Sequence, residues 1–143
     1  MTMNESLYNL CSATSEEAEI LNGKIDLFNS EQLSFHGKIE EFRNYVIKDK
    51  ENIVAGIRTC IYLNECMFIS VLFVDELNRG KGLGTLLLKH VEEEAKSIGL
   101  RLIHLDTFDF QAKDFYLRQG YEIFGILDDC PKGHKRYYLK KLL

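Results

Sequence analysis

Between Arg79 and Thr85 the chain reads RGKGLGT. Gly80, Gly82 and Gly84 fall within five residues, Arg79 and Lys81 alternate with them, and a helical pattern begins at once. A turn alone needs one glycine, or two. A helix N-terminus presents unpaired N–H groups and a partial positive charge, and the two together bind phosphate. Glycines clear side chains from those groups and let the backbone curl around oxygens. The chemistry on offer is therefore a cradle for a pyrophosphate, with cationic charge from Arg79 and Lys81. A Walker loop would need GxxxxGK[ST], and that string is absent. A dinucleotide fingerprint would need glycine at position 85, where Thr85 stands. Asp106 does lie where a ribose-binding acid would be, but the stretch follows an antiparallel meander and not a βαβ unit. A glycine turn that holds no ligand is the remaining reading at this point.

The elements around the cradle are legible from period. YNLCSA reads as a short strand, and Thr14 with Glu17 forms a capping box. Ala18, Leu21, Ile25 and Phe28 then keep helical spacing. Residues 30–39 are ambiguous between a loop and a second short helix. From Glu40 the period becomes two: EFRNYVIKD and IVAGIRTCIYL alternate, and CMFISVLFV follows as a nearly all-apolar strand. That predicts a three-strand meander whose last strand is buried on both faces. After the glycines, Leu83, Leu87, Val91 and Ile98 form a helical stripe, widened by Leu86 and Ala95, with Gly99 placed to end the helix. RLIHLDT is a strand, QAKDFYLRQG a short helix ending at Gly120, and YEIFGIL and KRYYLKKL are strands around the loop DDCPKGH.

Bulk properties narrow the class. A chain of 143 residues with 45% apolar and 28% charged residues predicts one globular domain over 1–143. MTMNESLYNLC lacks a basic region followed by an apolar core, which predicts no signal peptide, and no apolar run is long enough for a membrane span. Cys11, Cys60, Cys66 and Cys130 include no CxxC pair, so free thiols, no metal and a cytoplasmic location are expected. The net charge of −4 divides unevenly. Residues 1–78 carry 13 acids and 6 bases, a balance of −7; the rest carry 9 and 12, a balance of +3. An acidic chain without a basic aromatic stripe speaks against nucleic acid as a partner.

VDELNRGKGLGTLLL resembles the acetyl-CoA signature [RQ]-x-x-G-x-[GA] of the GNAT N-acetyltransferase superfamily, with Arg79, Gly82 and Gly84 in its three defined places. DFYLRQGYEIFG is similar to the family's second signature, through Tyr116, Gly120 and Tyr121. The order of elements matches as well, and the resemblance spans essentially the whole chain. It implies an α+β fold: a central, mostly antiparallel twisted sheet of about seven strands, flanked by helices and splayed between the fourth and fifth strands. It implies acetyl-CoA as cosubstrate, with pantetheine pairing to the backbone of Leu72, Phe73 and Val74. The pyrophosphate would lie on Arg79, Gly80, Lys81, Gly82, Leu83, Gly84 and Thr85.

The implied reaction is direct acetyl transfer to a primary amine of a small molecule or peptide. Such an amine has a pKa of about 10.4, so a base or a water path must take a proton. A backbone N–H of the strand before the cradle can face the oxyanion. The resemblance assigns Tyr116 to protonating the departing thiolate, and Asp109 to capping or to contact with the ligand. The base stays open among His104, Asp106, His36, His134 and water; His104 and Asp106 share one strand face. Cys66 and Cys130 have no paired histidine, which argues against a cysteine nucleophile. Two other readings stand beside this one: a CoA-binding module of the same fold without turnover, and a small nucleotide-binding protein. The acceptor and the oligomeric state, homodimer included, are open.

Overall fold

The computed structural model describes residues 7–33 and 40–143. Helix α1, Ser15–Gln32, opens on the expected capping box. The Thr14 hydroxyl accepts from the Glu17 N–H at 3.1 Å, and the Glu17 carboxylate accepts from the Thr14 N–H at 3.0 Å. The expected strand over YNLCSA does not form; residues 8–13 enter no ladder and carry no regular structure. Helix α1 and the elements from Glu40 onward belong to separate compact units.

The second unit is a six-stranded sheet in the order β1-β2-β3-β4-β6-β5, one strand fewer than expected. Its strands are β1 Glu40–Asp49, β2 Asn52–Tyr62, β3 Cys66–Val74, β4 Leu102–Phe108, β5 Glu122–Asp128 and β6 Lys135–Leu142. Only β3 and β4 run parallel, because helix α2, Leu83–Ser97, carries the chain back between them. The other four pairs are antiparallel.

Alternation sets one face of this sheet as the core. Ala55, Ile57, Thr59 and Ile61 on β2, Met67 and Ile69 on β3, and Ile103, Leu105 and Thr107 on β4 are all buried. Leu87, Leu88, Val91 and Ala95 of α2 join the same core. The buried stripe is therefore turned slightly from the one the spacing suggests: Leu86 and Ile98 are exposed, Leu88 is covered, and Glu92 is buried. Glu92 is tolerated there because Lys141 Nζ donates to it at 2.7 Å.

Helix ends follow local chemistry. Gly99, at φ +81°, closes α2, with Leu100 N–H donating to Ala95 C=O and Gly99 N–H to Lys96 C=O. Gly120, at φ +90°, ends helix α3, Lys113–Arg118, in the same way. The expectation that CMFISVLFV is buried on both faces is not met: in its first half Met67 and Ile69 are buried on one face while Cys66 and Phe68 on the other are half-buried, and its second half opens further. Cys66 to Ile69 pair with Leu102 to Leu105; beyond that, β3 and β4 part. Val71 and Phe73 are consequently exposed.

Candidate functional site

The parting of β3 from β4 makes the site. β3 stays paired to β2 up to Val74, but a bulge between Arg58 and Thr59 leaves Ser70 unpaired and turns the strand away from β4. Along Ser70–Val74, alternate backbone groups point to β2, and the others face the opening. The resulting cleft has a volume of about 810 Å³ and runs from Ile69 and Asp106 down to Gly82, Leu83 and Gly84. That is room for a long ligand. Leu72, Phe73 and Val74 all line it, as do Arg79, Gly80 and Thr85; Lys81 is exposed outside it.

At its lower end the cleft meets the start of α2. Gly80 and Gly82 have φ of +75° and +82°, a backbone conformation that costs other residues. A Cβ at either would meet nothing within 4 Å, so glycine is there for the backbone's shape and leaves open space in front of it. Gly84 is different: a Cβ there would sit 3.5 Å from Phe115, an ordinary contact. The N-terminus of α2 carries no side-chain cap and no acid in its first turn, whereas α1 has a capping box and Glu16 and Glu17. The N–H groups of Leu83, Gly84 and Thr85 have no acceptor within the helix. An uncapped helix start at the foot of a cleft suits an anion. The Arg79 side chain is partly engaged: its Nε donates to Val74 C=O at 3.0 Å and pins the loop to the end of β3.

Helix α3 forms the opposite wall with Ala112, Phe115 and Tyr116, and its Gln119 donates to the Thr85 hydroxyl at 3.2 Å. Tyr116 is 5% exposed, its ring edge-on to Phe115 and Tyr121. Among the described residues its hydroxyl has no hydrogen-bond partner. Burial pushes its pKa up to about 12, so the group keeps its proton throughout the neutral range. The strand face shared by His104 and Asp106 is as expected, yet only Asp106 reaches the cleft. His104 Nε2 instead meets the Tyr62 hydroxyl, with the ring beside Phe68, and burial lowers its pKa against the opposing pull of Asp106.

Asp109 stands away from the main cleft, beside a smaller hollow of about 430 Å³ that Lys113 and Arg118 also border. One of its oxygens meets His134 Nδ1 at 2.9 Å and the other accepts the Lys135 N–H at 3.0 Å. These contacts hold its carboxyl below the usual range, the Lys135 N–H first. His134 is thereby tied to Asp109 and packs edge-on against Phe110. His36 lies outside the described residues. Gln111, which with Asp109 precedes the tyrosine helix in the sequence, accepts the Phe108 N–H through its side chain at 2.8 Å and so positions the turn into α3. Arg118 also lines the cleft, a cation in the last turn of α3 that its helical position could have flagged. Among the described residues no three His, Cys, Asp or Glu side chains form a metal-binding group, and no helix is long and apolar enough to cross a membrane.

Known proteins bear on this geometry. The model of the acetyltransferase (GNAT) family matches residues 5–121. A blasticidin-S acetyltransferase of Streptomyces morookaense is 29% identical over 73% of this chain and 77% of its own. An acetyltransferase of Agrobacterium fabrum is 31% identical over 68% of this chain and 72% of its own. The crystal structure of an acetyltransferase from Bacillus cereus superposes with a TM-score of 0.87 at 33% identity, over 96% of this chain and 99% of that one. An aminoglycoside 6′-N-acetyltransferase complexed with coenzyme A shares the fold, with a TM-score of 0.64 at 20% identity, over 80% of this chain and 77% of that one.

Proposed function

The chain belongs to the acetyltransferase (GNAT) family, and from that premise we propose that it transfers an acetyl group from acetyl-CoA directly to a primary amine of a small molecule or peptide. The observation that carries this reading is the cleft between β3 and β4, which ends on the uncapped start of α2 and has Tyr116 on its wall. When bound, acetyl-CoA supplies the thioester that the amine attacks. Those backbone groups along Leu72, Phe73 and Val74 that face the opening would pair with its amides, as an open strand edge does, while the Val74 C=O already accepts from Arg79. The N–H groups from Gly80 to Thr85 receive the pyrophosphate, with Arg79 and Lys81 adding charge. Asp109 serves this ligand indirectly, by fixing the turn that leads into α3.

Tyr116 holds its proton where the sulfur departs. A phenol with a pKa of about 12 is too weak an acid to give that proton up fully to a thiolate whose conjugate acid is near 8.5. Its contribution is a hydrogen bond that strengthens as charge builds on sulfur. One domain over residues 1–143 carries the activity, in the cytoplasm.

The acidic balance of −7 in residues 1–78 favours a positively charged acceptor. The test is acetyl-CoA-dependent thiol release against a panel of amines, read alongside the thermal shift with acetyl-CoA. Release with cationic amines, weakened by salt, is the expected result. A thermal shift without release from any amine would mark a binding module, and no shift at all would remove the cradle.

A further inference from the structure

We propose that Asp106 is the residue that receives the acceptor: its Oδ2 takes a hydrogen bond from the incoming ammonium and removes the first proton. This deepens the transfer reading above and rests on it. Pairing between β3 and β4 ends at Ile69 and Leu105, so Asp106 is the first residue of β4 beyond the fork. It lines the same cleft as Tyr116. It does so from the other face of the sheet, since Thr107, its neighbour, points into the core. A ligand lying against α2 and α3 would therefore present its reactive end at the fork, where the amine can reach it from the Asp106 side.

The carboxylate is held and half used. Arg136 Nε donates to Oδ1 at 2.9 Å, and a terminal guanidinium nitrogen lies 2.8 Å from the same oxygen as an ion pair. Among the described residues Oδ2 accepts nothing. Arg136 is itself fixed between the rings of Phe108 and Tyr138, at 5.6 and 5.4 Å from their centroids. The pair holds the Asp106 carboxylate in one orientation, with one oxygen left for a donor. Phe73 and Phe110, both exposed on the cleft's rim, give the amine's carbon chain a surface and an ammonium two ring faces. Among the described residues the other candidate side chains are engaged elsewhere: His104 with Tyr62, His134 with Asp109.

The proton count closes. The ammonium loses one proton through Oδ2 to solvent and becomes a free amine. Its lone pair forms the C–N bond to the acetyl carbon while the C–S bond breaks with its electrons to sulfur. The second proton leaves nitrogen as that bond forms and ends on the sulfur, giving amide and thiol.

The test compares Asp106→Asn with the unaltered protein on two acceptors. One is an alkylamine, charged at pH 7; the other is an amine of low pKa, already neutral there. Asp106→Asn is expected to lower kcat/KM roughly 10- to 100-fold for the alkylamine, the range of one hydrogen bond to a charged group. The neutral amine and the KM for acetyl-CoA should change little, the deficit should shrink toward pH 10, and Asp106→Glu should recover part of it. In calorimetry a tertiary alkyl diamine, charged but unable to form an amide, should bind the unaltered protein at least ten times more tightly than Asp106→Asn.

Equal losses on both acceptors would mean that Asp106 only holds Arg136, and would overturn the proposal. So would unchanged alkylamine kinetics, or a loss that appears in His134→Gln instead. If Asp106→Asn does not fold, Asp106→Glu takes its place in the same comparison, and an unaltered ratio between the two acceptors overturns the proposal. No thiol release by the unaltered protein with any amine overturns the transfer reading, and this inference with it.

Discussion

Replacing Tyr116 with phenylalanine isolates one hydroxyl. The ring stays, and with it the edge-on contacts to Phe115 and Tyr121 at 5.2 and 5.8 Å between centroids. No hydrogen bond among the described residues is lost, and no partner is left unsatisfied. Removing a partnerless polar atom from a residue only 5% exposed should change stability by less than about 1 kcal/mol in either direction. The effect on chemistry is larger. A hydrogen bond to a charged group contributes about 1.5–3 kcal/mol, or about 10- to 100-fold in rate at about 1.4 kcal/mol per decade. Because that bond forms fully only as sulfur gains charge, kcat and kcat/KM should fall together, with acetyl-CoA affinity near normal. The assay is steady-state thiol release, with pre-steady-state turnover to show that chemistry limits the rate. With a pKa of about 12 the hydroxyl does not titrate in the working range, so the pH profile of Tyr116→Phe should keep its shape while its height drops. An unchanged kcat under chemistry-limited conditions would refute the reasoning and leave Tyr116 as packing.

Gly82→Ala should lower stability by about 1–2 kcal/mol because of its positive φ, while Gly84→Ala should be neutral or stabilising by up to about 1 kcal/mol; thermal or urea unfolding distinguishes them. Acetyl-CoA at a hundredfold excess over its Kd should stabilise the unaltered protein by about 2.7 kcal/mol, and Gly82→Glu should abolish the shift by placing bulk and negative charge in the cradle. Asp109 has its folded pKa held below the ordinary value, so its contribution is present above about pH 4 and is lost as pH falls through the folded value. Asp109→Asn should therefore be less stable than the unaltered protein at pH 7, and the two melting curves should converge in acid.

What could be read from sequence was local. The capping box at Thr14 and the terminations at Gly99 and Gly120 involve residues within a few positions of one another, and they form as their spacing indicates. The glycine stretch is equally local. Its residues carry in their own backbone the need for left-handed φ at Gly80 and Gly82 and the bare start of α2, which is why an anion cradle can be proposed from the string alone. Strand alternation likewise placed Ile103, Leu105 and Thr107 on one face and His104 and Asp106 on the other.

Tertiary structure decided the rest. CMFISVLFV looks uniformly apolar, and nothing in it says that its second half will face a cleft; that follows from where β3 leaves β4. Gly82 and Gly84 look equivalent in the string, yet only Gly82 has a backbone that demands glycine, while Gly84 faces Phe115 of a helix some thirty residues on. Asp106 and Asp109 were both candidates for chemistry. Their fates were set by partners on β6 and just before it: Arg136 takes one oxygen of Asp106 and, among the described residues, nothing takes the other, whereas Lys135 and His134 take both oxygens of Asp109. A side chain's type and local spacing fix what it can do, but whether it stays available depends on charges and hydrogen-bond donors that only the folded chain brings within 3 Å.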